Sequence, residues 1–317
     1  MWLPFAILAY FMNAGVYTAD KYFLSKKIHS SITYTFYVGI WSIGNIMLFF
    51  VTPFFLPEWR WLILDLFAGV LFLVALVAWY KALHQSEATK VVPIVGAFIP
   101  VYSFLLSYIF LGATLGQKEL LALFILIIGG VLISIKHKKE SRIKKVWHNV
   151  MVLFGSSKSE LHPVGRLIIN SLIAAFAFAA YYVLIKYIYL NQPFLGSYIW
   201  TRMGSFLGAL LLLLPLRNRK IILEKKKRRS AIKSWPLFLS IRFLAVVAFI
   251  LLNYAISLGN VALVNALQGV QYVFLIFIFL ILSEAYPKIL KEEMGRAVLI
   301  QKFMGVLLVG VGMYLLI

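Results

Sequence analysis

The chain has 317 residues, 62% of them hydrophobic, with a mean hydropathy of +0.92. Soluble domains are about 45–50% apolar, so this excess excludes a single soluble core and points to a bundle of membrane-spanning helices. The net charge is +20, there is no cysteine, and the five histidines (His29, His84, His137, His148, His162) are scattered. Disulfides, iron–sulfur clusters, thiol catalysis and a histidine metal site are therefore excluded, and no cofactor is implied.

Apolar runs fall at residues 2–24, 32–56, 62–83, 90–111, 117–135, 166–188, 195–216, 235–258, 261–282 and 297–317. Each is near the ~20 residues a bilayer requires, and lipid-exposed backbone must satisfy its own hydrogen bonds, so all ten are expected as helices. Trp2 to Leu24 lacks a basic flank and a small-residue cleavage site, and reads as a retained first helix rather than a signal peptide. The long basic connection Lys136–Arg166 contains Arg142–Phe154. There Trp147, Met151 and Phe154 alternate with Lys144, Lys145 and His148, a pattern open to both an interfacial helix and a disordered loop.

The Lys and Arg residues fix an orientation. Counted with the run ends that flank them, the odd-numbered connections carry 25 of them and the even-numbered ones 3, while Arg202, Arg242 and Lys302 lie deeper inside apolar runs. The basic side of a membrane protein is the cytoplasmic one. Both termini are then expected outside, in the cell membrane, and the charge is explained by the lipid bilayer rather than by nucleic acid.

The second part of the sequence resembles the first. Tyr17, Lys21 and Tyr22 match Tyr182, Lys186 and Tyr187 at an offset of 165, and Gly39 matches Gly204. Beyond a longer connection the offset becomes 174, where Trp61 matches Trp235, Tyr80 matches Tyr254 and Ala88 matches Ala262. Five helices per half is an odd number, so the second half enters the membrane the other way round. The expected fold is all-α integral membrane, with ten transmembrane helices as a 5+5 inverted-topology repeat: residues 1–137, a basic cytoplasmic linker at 138–165, and residues 166–317. Such repeats are typical of secondary transporters with a site between the halves.

Trp79-Tyr80-Lys81-Ala82-Leu83, then Ala88, Pro100, Leu111-Gly112 and Gly129-Gly130, carry a family resemblance. They resemble the pattern of the drug/metabolite transporter superfamily, in particular EamA-type permeases. The resemblance implies a non-enzymatic permease of ten helices. Two features depart from it. Ala113 stands where the family usually carries Glu, whereas the second half keeps an acid in Ser283-Glu284; and Pro100 is matched by Phe274. Family members are often drawn with both termini inside, opposite to the charge count.

Polar residues inside apolar runs are costly and mark either a pathway or interhelical bonding. Helical spacing gathers Asn13, Tyr17 and Asp20/Lys21 on one face, Tyr182, Lys186 and Tyr189 on another, Arg242, Phe249, Asn253 and Asn260 on a third, and Asn265, Gln268 and Tyr272 on a fourth. The candidate substrate-binding residues are Asn13, Tyr17, Lys21, Tyr80, Tyr182, Lys186, Arg242, Asn253, Asn265 and Gln268. Lys21 and Lys186 stand near helix ends, where snorkelling is an alternative. Asp20 and Glu284 are candidates for proton coupling, because desolvation eases protonation of a carboxyl; both stand at helix ends, where a solvated acid is the ordinary case. Asp65 is expected at the interface. Arg202 is set aside because its run has no other polar stripe. Gly129, Gly130, Gly305, Gly310 and Gly312 are expected at close helix contacts.

The expected function is secondary transport of a small organic metabolite, anionic or zwitterionic, by alternating access. A flippase for a lipid-linked sugar has the same sequence signature. An intramembrane enzyme is disfavoured, with 11 acids, no paired Asp motif, and Gly155-Ser156-Ser157 in a basic connection. Oligomeric state is left open, a homodimer included.

Overall fold

A computed structural model describes residues 1–26, 30–85, 88–134, 163–223, 235–282 and 296–317. The helices are α1 (Leu3–Lys26), α2 (Ser31–Trp41), α3 (Trp59–Gln85), α4 (Ala88–Leu111), α5 (Gln117–Ser134), α6 (Pro163–Asn191), α7 (Phe194–Leu211), α8 (Leu216–Leu223), α9 (Trp235–Leu258), α10 (Val261–Ala266), α11 (Gln268–Leu282) and α12 (Arg296–Tyr314). There is no strand among the described residues. Each of the ten apolar runs contains helix, although residues 51–56 are not helical and the run 195–216 turns at 212–215. Among the described residues, seven stretches, the first of them continuing α2 through Phe50, are long and apolar enough to cross a bilayer; the bent pair α7–α8, at 97°, makes an eighth. The Arg142–Phe154 segment and most of the expected linker lie outside the described residues.

Local chemistry sets several helix ends. The Ser30 hydroxyl accepts from the Thr33 N–H and caps α2. Glu119, in the first turn of α5, reaches back to the Gly116 N–H at 2.8 Å. α4 stops at Gly112, where φ is +61°, a left-handed conformation that glycine adopts without strain.

Two spans are irregular. α2 continues as a 3₁₀ helix over Ser42–Phe50. The run 261–282 is broken at Leu267, where the Val270 N–H returns to the Leu267 carbonyl at 2.9 Å.

Helices before residue 135 pack largely against helices after 163. α1 lies on α9 and α11, α3 on α6 and α7, α4 on α6 and α10, and α5 on α11 and α12. Small residues bring the backbones together. A Cβ at Gly69 would strike the α7 backbone at Thr201 and Ser205, and one at Gly204 would strike the α3 backbone at Leu66. Gly129 and Gly305 make a similar reciprocal contact between α5 and α12, and Gly130 and Gly312 also face close neighbours. Gly310 faces open space, unlike the other four expected contact glycines.

Candidate functional site

A cavity of about 230 Å³ opens between the two sets of helices. Asn13, Tyr17 and Asp20 reach it from α1, Tyr80 from α3, Tyr182 from α6, Arg242 from α9, Asn265 from α10 and Gln268 from α11. Stripes predicted separately thus converge on one space. Asn265 donates to the Ser103 hydroxyl at 2.8 Å and is held between α10 and α4. Tyr17 faces Trp79, ring centroids 6.4 Å apart.

Asp20 is the centre of one charged cluster. Its carboxylate pairs with the Arg242 guanidinium and accepts from the Tyr34 hydroxyl at 2.6 Å and the Tyr80 hydroxyl at 3.1 Å. Arg242 also donates to the Tyr34 oxygen at 3.3 Å and lies 5.3 Å from the Phe238 ring centroid. Four helices, α1, α2, α3 and α9, therefore meet on one carboxylate. Arg242 is thus a charge compensated by Asp20 at the edge of the cavity.

Arg202 on α7 makes the second cluster. Its guanidinium lies 4.5 Å from the ring centroids of both Phe72 and Phe249. It donates to the Tyr181 hydroxyl at 2.7 Å. The hydroxyls of Tyr181 and Tyr189 donate in turn to the Asn253 oxygen at 3.3 and 3.0 Å, and the Asn253 amide is anchored on the Phe249 carbonyl at 2.7 Å. Arg202 has no carboxylate partner among the described residues, and its Nε is buried without an acceptor. It borders the same cavity as Arg242. Sequence reasoning missed it because its polar partners lie on α6 and α9, not on its own helix.

Some expected residues stand elsewhere. Asn253 is fully buried behind the wall, holding the tyrosines that hold Arg202. Lys186 donates to the Ser257 carbonyl at 2.9 Å and does not line the cavity. The Lys21 side chain and Glu284 lie outside the described residues. Asp65, expected at the interface, is 0% exposed.

The 3₁₀ segment adds Ser42 and Asn45 to the lining. The Asn45 amide donates to the Ser42 carbonyl at 2.9 Å, while its oxygen is buried without a donor. No α-helical periodicity in the sequence could have placed them. Gln271 and Tyr198 also line the cavity. No group of three or more acidic, histidine or cysteine residues that could hold a metal ion occurs among the described residues. What the cavity offers is a guanidinium packed against the adjacent Phe72 and Phe249 rings, with no carboxylate partner among the described residues, beside an internally neutral ion pair.

Among solved structures, one described as "Crystal structure of protein" aligns with a TM-score of 0.62 at 13% identity, covering 97% of this chain and 98% of that one. That likeness concerns the fold alone. No curated protein matches the chain. Residues 1–135 match the model of the EamA-like transporter family. With the long apolar helices, this match, over less than half of the chain, marks a multi-pass membrane protein whose first part is similar to EamA-type transporters of the drug/metabolite transporter superfamily.

Proposed function

We propose that the protein is a secondary transporter of a small organic anion or zwitterion, working by alternating access between two inverted five-helix halves. The observation that carries this reading is Arg202, a cavity cation without a carboxylate partner among the described residues. Charge-assisted donors of this kind favour a carboxylate or phosphate on the solute. Drug-sized sites run about 300–1,000 Å³, so a cavity of about 230 Å³ suits a small metabolite. Asn13, Tyr17, Tyr80, Tyr182, Asn265 and Gln268 would shape the rest of the site, with Asn253 supporting from behind.

Ten spans in a 5+5 repeat are supported by the helix pairing. Exchanging each helix for its repeat partner turns the α1–α9 contact into α6–α3, and α1–α11 into α6–α4. The break at Leu267 falls at the offset of 174 from Pro93, where α4 carries a proline but continues unbroken, so the interruption belongs to the second half alone. Interrupted helices at the repeat interface are a feature of transporter sites. One contact is not mirrored. Gly204 packs on α3 beside Gly69, whereas its counterpart Gly39 faces Ala209 on α7, and Phe243, counterpart of Gly69, is 73% exposed. An inverted repeat packed unequally on its two sides is what alternating access requires. In this reading both termini face out, residues 138–165 form a cytoplasmic linker, and Asp20–Arg242 closes the cytoplasmic side.

The test is flux into proteoliposomes against a panel of anionic, zwitterionic, cationic and neutral metabolites. Saturable transport confined to solutes with an acidic group, and lost in Arg202→Ala, is expected. Transport of cations alone would overturn the anion reading. Scrambling of a lipid-linked sugar without solute flux would identify a flippase instead.

A further inference from the structure

Asp65 lies on α3, six residues inside Trp59, about 9 Å by helical rise. It is 0% exposed, and neither carboxyl oxygen has a hydrogen-bond partner among the described residues. The group turned toward it is the Gln192 carboxamide, just beyond α6. Both amide atoms of Gln192 are buried and equally without a completed hydrogen bond.

Among the described residues, no cation is paired with this carboxyl. On its own helix, Arg60 stacks 5.5 Å from the Trp59 ring centroid. On α6, Lys186 is engaged with the Ser257 carbonyl, and Tyr189 is within electrostatic range of Asp65. On α7, Arg202 is held by Tyr181, Phe72 and Phe249. α2 carries no charged residue, and α4 carries only Lys90, near its start, where the chain enters from the opposite end of α3.

An ionised carboxylate in such a place costs several kcal/mol or more, and ordinarily neutralises instead. We infer that Asp65 and Gln192 form a proton-binding site, outside the cavity and joined to it by the chain Tyr189–Asn253–Tyr181–Arg202. Asp65 takes one proton from water on the side where α3 begins and becomes a carboxylic acid. Its O–H donates to the Gln192 oxygen, and its carbonyl oxygen accepts from the Gln192 amide. Releasing the proton leaves a carboxylate that competes with Asn253 for the Tyr189 hydroxyl. Asn253 then binds Tyr181 differently, and the Arg202 edge that faces the cavity is reset. The proton site stands on burial and partners alone; its link to solute movement rests on the transporter reading above.

The experiment is an infrared difference titration of the full-length protein in lipid vesicles, with no solute present, the proton being the probe. Wild-type protein is expected to give a carboxylic-acid C=O band at neutral pH that disappears on alkalinisation and is absent in Asp65→Asn. A band of equal intensity in Asp65→Asn overturns the proposal. So does a band removed by sodium at constant pH, which would assign the site to a metal cation. If Asp65→Asn does not fold, Gln192→Leu carries the test: the band must shift, and an unmoved band overturns the assignment. Flux is scored separately. With a transported solute in hand, Asp65→Asn should keep solute exchange and lose accumulation driven by a pH gradient, and retained gradient-driven accumulation overturns the coupling. Wild-type vesicles that move no solute but show the band would defeat the transporter reading and leave the proton site standing.

Discussion

Asp20 and Arg242, 222 positions apart in the chain, form an ion pair that ties α1 to α9 across the cavity. Their side chains are only 14% and 8% exposed, so each charge depends on the other for compensation. Tyr34 and Tyr80 add two hydroxyl donors to the same carboxylate.

Removing one partner leaves the other buried and unpaired, which typically costs about 3–5 kcal/mol. Asp20→Asn and Arg242→Gln should each lower the thermal midpoint in detergent substantially. The double variant should regain most of the loss. Additive losses in the thermal-unfolding cycle would contradict a direct pair.

Arg202 should govern affinity for the solute's acidic group. A hydrogen bond to a charged group contributes about 1.5–3 kcal/mol, so Arg202→Leu should raise the apparent KM about 10- to 150-fold. Arg202→Lys should restore little, because an ammonium cannot reproduce a planar guanidinium packed against the Phe72 and Phe249 rings and bonded to Tyr181. Full rescue by lysine would mean that charge alone matters.

The α3–α7 contact should tolerate no added side chain at its closest point. Gly204→Val would drive a side chain into the Leu66 backbone. Overpacking costs about 1–3 kcal/mol and occasionally more, so a lower melting temperature and loss of monodispersity are expected. Gly310→Ala, with open space around it, is the matched control and should behave as wild type.

Orientation is checked by a reporter fused after Ile317. The charge count places it outside the cytoplasm, so a reporter active only outside should work and one active only in the cytoplasm should stay silent. The opposite pattern would invert the topology and exchange the two sides of the cavity.

Much of the site was legible because helical periodicity is local. Asn13, Tyr17 and Asp20 recur at three and four residues along unbroken α1, and such spacing forces a shared face whatever lies opposite. Asn265 and Gln268 line the cavity from either side of the break at Leu267, where helical spacing does not run through. Arg242 stood out by its depth inside an apolar run. Its partner did not, since Asp20 looked like a solvated acid at a helix end until α9 was placed beside α1. Arg202 was passed over because a guanidinium can be stabilised wholly by neighbouring helices, here by Tyr181 on α6 and the Phe72 and Phe249 rings. Ser42 and Asn45 were hidden by the change to 3₁₀ geometry, which resets the angular spacing of side chains.

The sequence by itself determined that the ten apolar runs are helices and that a deep arginine needs a reason. Both follow from free energies that act on each segment alone: hydrogen bonding of the backbone in lipid and the desolvation of charge. Only the tertiary structure decided which arginine is paired with a carboxylate, and that Asp65 is buried with no cation partner among the described residues. Those outcomes depend on which helix faces which across hundreds of residues, and charge compensation is decided over a few ångströms between side chains that the chain order does not bring together.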